Sequence, residues 1–317
     1  MAIHGPSMLA ARVHRFGPPA VIVLDELDTP VARPGEVVVR VKAAGVGPWD
    51  AWIRAGRSVL PQPLPLTLGS DLAGTVAAVG AGVTGLTVGD EVFGVTNRQF
   101  TGAYAEYAAA EASRLVGRPS RLGVVEAASA PVVAVTAQQM LFDHARVTAG
   151  QRVLVHGGGG SVGGYAVQLA RQAGAHVVAT ARGRGAERAR GLGADEVIDT
   201  ATTRFEDAIA PVDAVLDTVG GDVLARSFAV LAPGGTLVSA VAAPDLEAAR
   251  RRGVTAAFML VDVTRDALAP IAQGFAAGRL TPDVGTVLPL AEARQAHEML
   301  DGVRPHGPGK IVLRVAA

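Results

Sequence analysis

The feature that most constrains this chain is a run of glycines between a strand-like apolar segment and a helical, Ala-containing one. In VLVHGGGGSVGGYAVQLA, residues 153–170, a β-branched stretch leads directly into the glycines and a helix-forming stretch leads out. A tight strand–turn–helix is the setting that a dinucleotide fingerprint requires. Gly158, Gly160 and Gly163 fit G-x-G-x-x-G. Glycine there permits a tight turn, close approach of a pyrophosphate and close packing of helix on strand. The helix start at Ser161–Val162 then offers unpaired N–H groups to phosphate.

The flanking pattern sets the architecture around that turn. RVLVHG, HVVATA, DEVID, DAVLDTVG, GTLVSAV and TAAFMLV read as strands, with SVGGYAVQLARQAG, GAERARGLG and Leu224–Leu231 as helices between them. This alternation predicts a parallel sheet of βαβ units. The first third reads differently. AVIVLDEL, GEVVVRVKAAGV, AGTVAAVG and GDEVFGV are short and bounded by Gly or Pro, and LPQPLPLTLGSD interrupts them, which suits a small antiparallel barrel. Pro131 inside VVEAASAPVVAVTAQQMLFDHA predicts two helices meeting at or near it. At the other end PLAEARQAHEMLDG reads as a helix and GKIVLRV as a closing strand. Regular patterning begins at MLAARVHRFG, so the residues before Met8 read as a leader or added segment, without the features of a signal peptide.

Composition removes several chemistries. The chain has no cysteine, which excludes disulfides, thiol nucleophiles, iron–sulfur clusters and cysteine-ligated zinc. The seven histidines, His4, His14, His144, His156, His176, His297 and His306, show no metal-site spacing such as i,i+4. Lys+Arg and Asp+Glu are 29 each, which argues against a general grip on nucleic acid or an anionic membrane. No apolar run approaches the ~18 residues of a membrane span. A cytoplasmic protein with a small-molecule partner is the expectation.

The second strand after the glycines ends at Ala179-Thr180-Ala181-Arg182, with Arg184 and Arg188 just beyond. A site for NAD usually carries Asp or Glu near this point to hold the ribose hydroxyls. No acid stands here, and arginines clamp a 2′-phosphate with paired charge-assisted bonds. The expected cofactor is therefore NADPH, with Arg182 favoured by position.

In combination, AAGVGPWDAWIRAG, LPLTLGSDLAGTVAAVG, TVGDEVFG, AYAEYAA, TAQQML, the glycine turn, LGADEVID, DTVGG, GGTLVS and GKIVLRV resemble the medium-chain dehydrogenase/reductase superfamily, in its zinc-free quinone oxidoreductase branch. The resemblance runs over nearly the whole length. It implies an α/β fold: a mostly β, GroES-like catalytic domain (8–128 and 266–317) and an inserted Rossmann-type NADP-binding domain (129–265), with the active site in the cleft between them. It also implies a homodimer, paired edge to edge through GTLVSAVAAPD to FMLV. Cofactor-side positions implied are Thr136, Thr180, Val219, Gly220, Ser239, Ala240 and Val241, and the segment around Phe258–Leu260. Lys310 reads either as a cofactor-side residue or as an ordinary surface lysine at a strand start.

Departures from the family pattern narrow the chemistry. Zinc-dependent relatives carry Gly-His-Glu where this chain has Gly69-Ser70-Asp71, so the expectation is a metal-free site. Without a Lewis acid on the oxygen, an electron-poor acceptor, a quinone or an enone, is the better fit. The family's Asn-Pro-x-Asp followed by tyrosine is here Gly47-Pro48-Trp49-Asp50-Ala51-Trp52. An indole donates one hydrogen bond and cannot act as an acid–base group. Gly47, Trp49, Trp52 and Tyr104 are the candidate acceptor-pocket residues, with Tyr104 expected in a loop facing the cleft. Asp50 and Asp71 are expected to brace loops through backbone bonds, and no catalytic acid–base dyad is apparent. Alternatives are an enoyl reductase for one biosynthetic intermediate and an NADPH-binding protein without turnover.

Overall fold

The computed structural model describes residues 7–315. The leader expected before Met8 falls on residues 1–6, outside the described residues, and the first strand begins one residue earlier than expected, at Ser7. In chain order the first elements are β1 (Ser7–Val13), β2 (Ile22–Asp28), β3 (Glu36–Val46), α1 (Pro48–Arg54), β4 (Leu66–Thr67), β5 (Asp71–Val79), β6 (Glu91–Val95), β7 (Tyr107–Glu111), β8 (Leu115–Gly117) and α2 (Val124–Ala128). Here β1 pairs antiparallel with β2 and β4. The long β3 is the spine of the second sheet, flanked antiparallel by β5 and β7, with β6 and β8 continuing beyond β5. Valines alternate inward along β3, so Val37, Val39 and Val41 are fully buried together with Leu72 and Leu115.

Next come α3 (Pro131–Gln138), extended by a π-helical turn at Gln139–His144, then β9 (Arg152–His156), α4 (Ser161–Gln172), β10 (His176–Ala181), α5 (Arg184–Gly191), β11 (Glu196–Asp199), β12 (Val212–Asp217), α6 (Gly221–Ser227), β13 (Leu231–Ser239), α7 (Leu246–Arg251) and β14 (Thr255–Phe258). All six strands are parallel, in the order β11-β10-β9-β12-β13-β14. The order reverses beside β9, and such switch points open ligand crevices at strand carboxyl ends.

The chain then forms α8 (Arg265–Ala276), β15 (Val284–Pro289), α9 (Ala293–Leu300) and β16 (Lys310–Arg314). Strand β16 lies antiparallel to β3 and parallel to β15, and so completes the seven-stranded sheet begun near the N-terminus. The described residues form two compact units, 7–132 with 263–315, and 133–262.

Some elements differ from the sequence reading. The helix expected at Leu224–Leu231 starts at Gly221 and ends in a 3-10 turn, and Leu231 already belongs to β13. Helix α8, a segment for which the sequence reading names no element, carries Pro270 in its interior, and Thr264 caps its start by accepting the Ala267 N–H at 3.2 Å. The predicted proline-centred break is present, with α2 ending at Ala128 and Pro131 opening α3.

Helix α4 packs closely on the turn that feeds it. A Cβ at Gly163 would overlap the carbonyl oxygen of Gly157, which is backbone and cannot yield. We expect Gly163→Ala to destabilise the chain by about 1–3 kcal/mol in urea unfolding, as overpacking does. Gly191→Ala, where a Cβ meets open space, should change stability by no more than about 0.5 kcal/mol. Equal effects would contradict the contact.

Candidate functional site

The glycine turn uses one residue more than the fingerprint. Gly157 has φ +71°, so it makes the turn out of β9. A Cβ at Gly158 would lie 2.6 Å from the Ala179 Cβ on β10, and one at Gly159 would meet the Gly185 backbone. Gly160 is the N-cap of α4 and no side chain caps that helix. The N–H groups of its first turn, at Ser161, Val162 and Gly163, are therefore available to an anion. This backbone fits a nucleotide pyrophosphate.

Beside the turn lies a pocket of about 580 Å³ at the carboxyl ends of β9, β10 and β12. His156, Thr180, Arg182, Thr200, Arg204 and Arg226 are among its lining residues, and no carboxylate is. Its floor is a fixed hydrogen-bond network. The Ser227 hydroxyl donates to the Val223 carbonyl at 2.7 Å, so it accepts from His156 Nε2 at 2.9 Å. Nδ1 then accepts from the Thr180 hydroxyl at 2.9 Å. Burial lowers the His156 pKa to about 4, which keeps the imidazole neutral. Its ring meets the Phe205 ring edge-on, with centroids 4.7 Å apart.

The next two strand ends are organised by Asp217, fully buried at the end of β12. Its Oδ1 accepts from the N–H groups of Val219 and Gly220 at 3.1 and 2.9 Å. Its Oδ2 accepts from the Ser239 hydroxyl at 2.7 Å. Ser239 Oγ in turn accepts from the Val241 and Ala242 N–H groups at 3.2 Å each. One carboxylate therefore shapes both loops that carry the expected cofactor-side positions. Ala240 donates its N–H to the Asp217 carbonyl at 3.1 Å. Thr136 sits buried on α3.

The other unit holds a buried polar cluster around α1. Gly47 caps the helix, and Asp50 Oδ2 accepts from the Gly47 N–H at 2.8 Å and from the Tyr104 hydroxyl at 3.0 Å. Asp71 Oδ1 accepts from the Val132 N–H at 3.1 Å, and its Oδ2 lies 3.2 Å from Lys310 Nζ. The Lys310 ammonium also sits 4.0 Å from the Trp49 ring centroid. Burial drives both carboxyls upward, Asp50 to about 7, against the pull of Lys310. Trp49 covers Gly47 so closely that a Cβ at Gly47 would overlap its ring. Farther in, Arg54 is 2% exposed and donates to His297 Nδ1 at 3.1 Å and Asp301 Oδ2 at 2.7 Å. Burial, aided by Arg54, lowers the His297 pKa to about 3.

Several expected residues stand elsewhere than the sequence suggests. Tyr104 is fully buried rather than in a cleft-facing loop. Its segment is locked by backbone bonds, Tyr104 N–H to Leu68 O at 2.9 Å and Ala11 N–H to Tyr104 O at 2.8 Å. Its ring packs on Gly69, and its hydroxyl is committed to Asp50. Lys310 is 3% exposed and ion-paired, which removes the reading as a surface lysine. Asp50 and Asp71 do brace backbone N–H groups, as expected. Trp52 is 43% exposed. Arg182 lines the pocket, whereas Arg184 heads α5 outside its wall. Sequence reasoning passed over Gly157, His156, Thr200, Arg204, Arg226 and Asp217. An acid closing the apolar run AVLD was the one local signal for Asp217.

Comparison with known proteins places these features. A family described as "Alcohol dehydrogenase GroES-like domain" matches residues 33–120, and one described as "Zinc-binding dehydrogenase" matches residues 192–313. A quinone oxidoreductase of Sus scrofa is 32% identical over 334 residues, covering 99% of each chain. One of Homo sapiens is 30% identical, covering 98% of this chain and 97% of that one. The solved structure of a quinone oxidoreductase from Coxiella burnetii superposes with a TM-score of 0.91 at 33% identity, over 98% of this chain and all of that one. The fold and the glycine turn are those of a nucleotide-dependent class of oxidoreductases. The chain belongs to the medium-chain dehydrogenase/reductase superfamily, in its quinone oxidoreductase branch. Among the described residues no group of three or more His, Asp or Glu side chains is arranged to hold a metal ion, and no helix is long and apolar enough to cross a membrane.

The raised pKa of Asp50 makes a signed prediction. The folded chain keeps that proton up to about pH 7, whereas the unfolded chain releases it near 3.8. Stability from this group is thus full below pH 3.8 and declines as pH rises to about 7. Asp50→Asn cannot titrate. Its stability relative to the unsubstituted chain should rise across that window, by roughly 4 kcal/mol as an upper bound. Urea unfolding at several pH values checks this, and a flat difference would mean that Asp50 is ionised throughout.

Proposed function

We propose that this chain is an NADPH-dependent oxidoreductase that passes hydride to a quinone or a conjugated enone without zinc. The observation that carries the cofactor choice is Arg182. It lines a pocket that has no carboxylate in its wall, at the strand end where an NAD site needs an acid. The first turn of α4 would hold the pyrophosphate, and the loops braced by Asp217 would border the nicotinamide. A reduced nicotinamide supplies hydride.

The chain's own residues bind, orient and exclude water. Metal-free chemistry is supported by the donor set. Gly69-Ser70-Asp71 offers one carboxylate, and that carboxylate is already paired with Lys310. The quinone oxidoreductases among the relatives support a quinone as acceptor. Of the α1 cluster, the Asp50 carboxyl keeps its proton to about pH 7 but is fully buried, and neither the phenol nor the indoles are placed to deliver one. The Tyr104 hydroxyl donates to Asp50 and burial pushes its pKa well up, and an indole does not titrate. The proton that completes reduction is assigned to solvent.

We further propose a homodimer formed along β14. This edge strand of the parallel sheet leaves Phe258, and Leu260 just beyond its end, about half exposed, and unpaired edges favour pairing with a second copy. Sedimentation should show a dimer; a single monomeric species would refute it.

Mixing the protein with NADPH and a panel of quinones and conjugated enones should consume NADPH. Turnover of one enone with simple quinones inert would select the pathway-specific enoyl reductase, and silence across the panel would reject reductase function. Arg182→Ala should raise the dissociation constant for NADPH by about tenfold or more and leave that for NADH within about twofold. An unchanged ratio would end the assignment of NADPH.

A further inference from the structure

The three arginines of the pocket wall reach it from different connections. Arg182 follows β10, Arg204 lies between β11 and β12, and Arg226 lies on α6. Their partners separate their roles. Arg226 is held by two carboxylates and a ring face. Its Nη1 is 2.8 and 3.0 Å from the Glu206 oxygens, its Nε is 2.9 Å from Asp222, and its guanidinium stacks 5.0 Å from the Phe205 ring centroid. It is part of the pocket's frame.

Arg182 meets no carboxylate among the described residues. Its Nε donates to Thr200 Oγ1 at 3.2 Å, and the Thr200 hydroxyl donates to the Ala181 carbonyl at 3.4 Å. With Nε engaged, the two terminal nitrogens of the fork are the groups left for an oxyanion. Arg204 is 68% exposed and shares Glu206 Oε1 with Arg226, at 2.9 Å, with Asp207 at 3.6 Å. Because Glu206 has Arg226 as a second partner, Arg204 can turn to an anion without stranding that carboxylate. Arg184 is exposed and outside the wall.

We propose that the 2′-phosphate of the nucleotide is held by a clamp from two connections, Arg182 and Arg204, with Thr200 as the residue that positions Arg182, and that Arg184 takes no part. This rests on the reading that the pocket takes a 2′-phosphorylated nucleotide. Two guanidiniums approaching from separate loops present forked donors to a phosphate from two sides. The clamp also moves the second arginine from the β10–α5 connection, where the sequence alone suggests it, to the connection after β11.

The probes are adenosine 2′,5′-bisphosphate and 5′-AMP, which differ only in the 2′-phosphate and need no turnover. Calorimetry should show the bisphosphate binding the unsubstituted protein more tightly than 5′-AMP. Arg204→Ala should weaken bisphosphate binding by about tenfold and leave 5′-AMP within about twofold. Thr200→Val should weaken it by about fivefold, Thr200→Ser should restore it, and Arg184→Ala should stay within about twofold. Rescue by serine separates positioning through the hydroxyl from a loss of packing. Unchanged bisphosphate binding in Arg204→Ala or Thr200→Val, or a loss in Arg184→Ala equal to that in Arg182→Ala, overturns the clamp. Equal binding of both probes to the unsubstituted protein overturns the 2′-phosphate reading itself, and the clamp with it.

Discussion

The buried ion pair between Asp71 and Lys310 joins the two ends of the chain within one unit. Asp71 opens β5 and Lys310 opens β16, and both are almost wholly removed from water. Removing two charges from water costs several kcal/mol per ion, and their attraction offsets this only when the geometry is good and the other lone pairs are satisfied. Asp71 satisfies its second oxygen with the Val132 N–H. Other features of the cluster follow from this pair. Burial raises the pKa of the neighbouring Asp50 to about 7, against the pull of the same ammonium. The same ammonium fixes Trp49 by its ring face, and Trp49 in that position requires Gly47.

The parallel sheet is organised by the opposite means. Its nucleotide turn depends on the absence of side chains, with backbone meeting backbone where Gly159 approaches Gly185 and Gly163 approaches Gly157. Such contacts hold shape without charge and leave N–H groups directed outward. The single buried carboxylate at the neighbouring strand ends, Asp217, is fully occupied by two backbone N–H groups and a serine hydroxyl. Rigid loops at strand ends suit a cofactor that must be placed to within a fraction of an ångström.

The glycine turn, the six parallel strands and the proline-centred helix break were legible in the sequence because each is local: a spacing, an alternation, a breaker. Helix α8 was not, because its interior Pro270 argues against a helix that capping by Thr264 and packing sustain. The pocket wall was legible only in part. Arg182 follows directly from the end of β10, but Thr200, Arg204 and Arg226 join it through the ordering of β11, β10 and β12 side by side, which no local pattern encodes. Tyr104 was misplaced for a similar reason. Its glycine-flanked segment reads as a loop, yet long-range bonds to Ala11 and Leu68 draw it inward.

The departures from the family pattern are linked rather than independent. Relatives carry asparagine where Gly47 stands, and the resemblance alone presents that as a lost amide. In the folded chain the same volume is filled by the Trp49 ring, held from its face by Lys310. Restoring a side chain at position 47 would push the indole away from the ammonium and remove its contact with the ring face. The phenol of this region is Tyr104, and its hydroxyl is engaged with the carboxyl that holds the start of α1. Tyr104 and Asp50 thus anchor the start of α1, and Asp71 holds the Val132 N–H of α3.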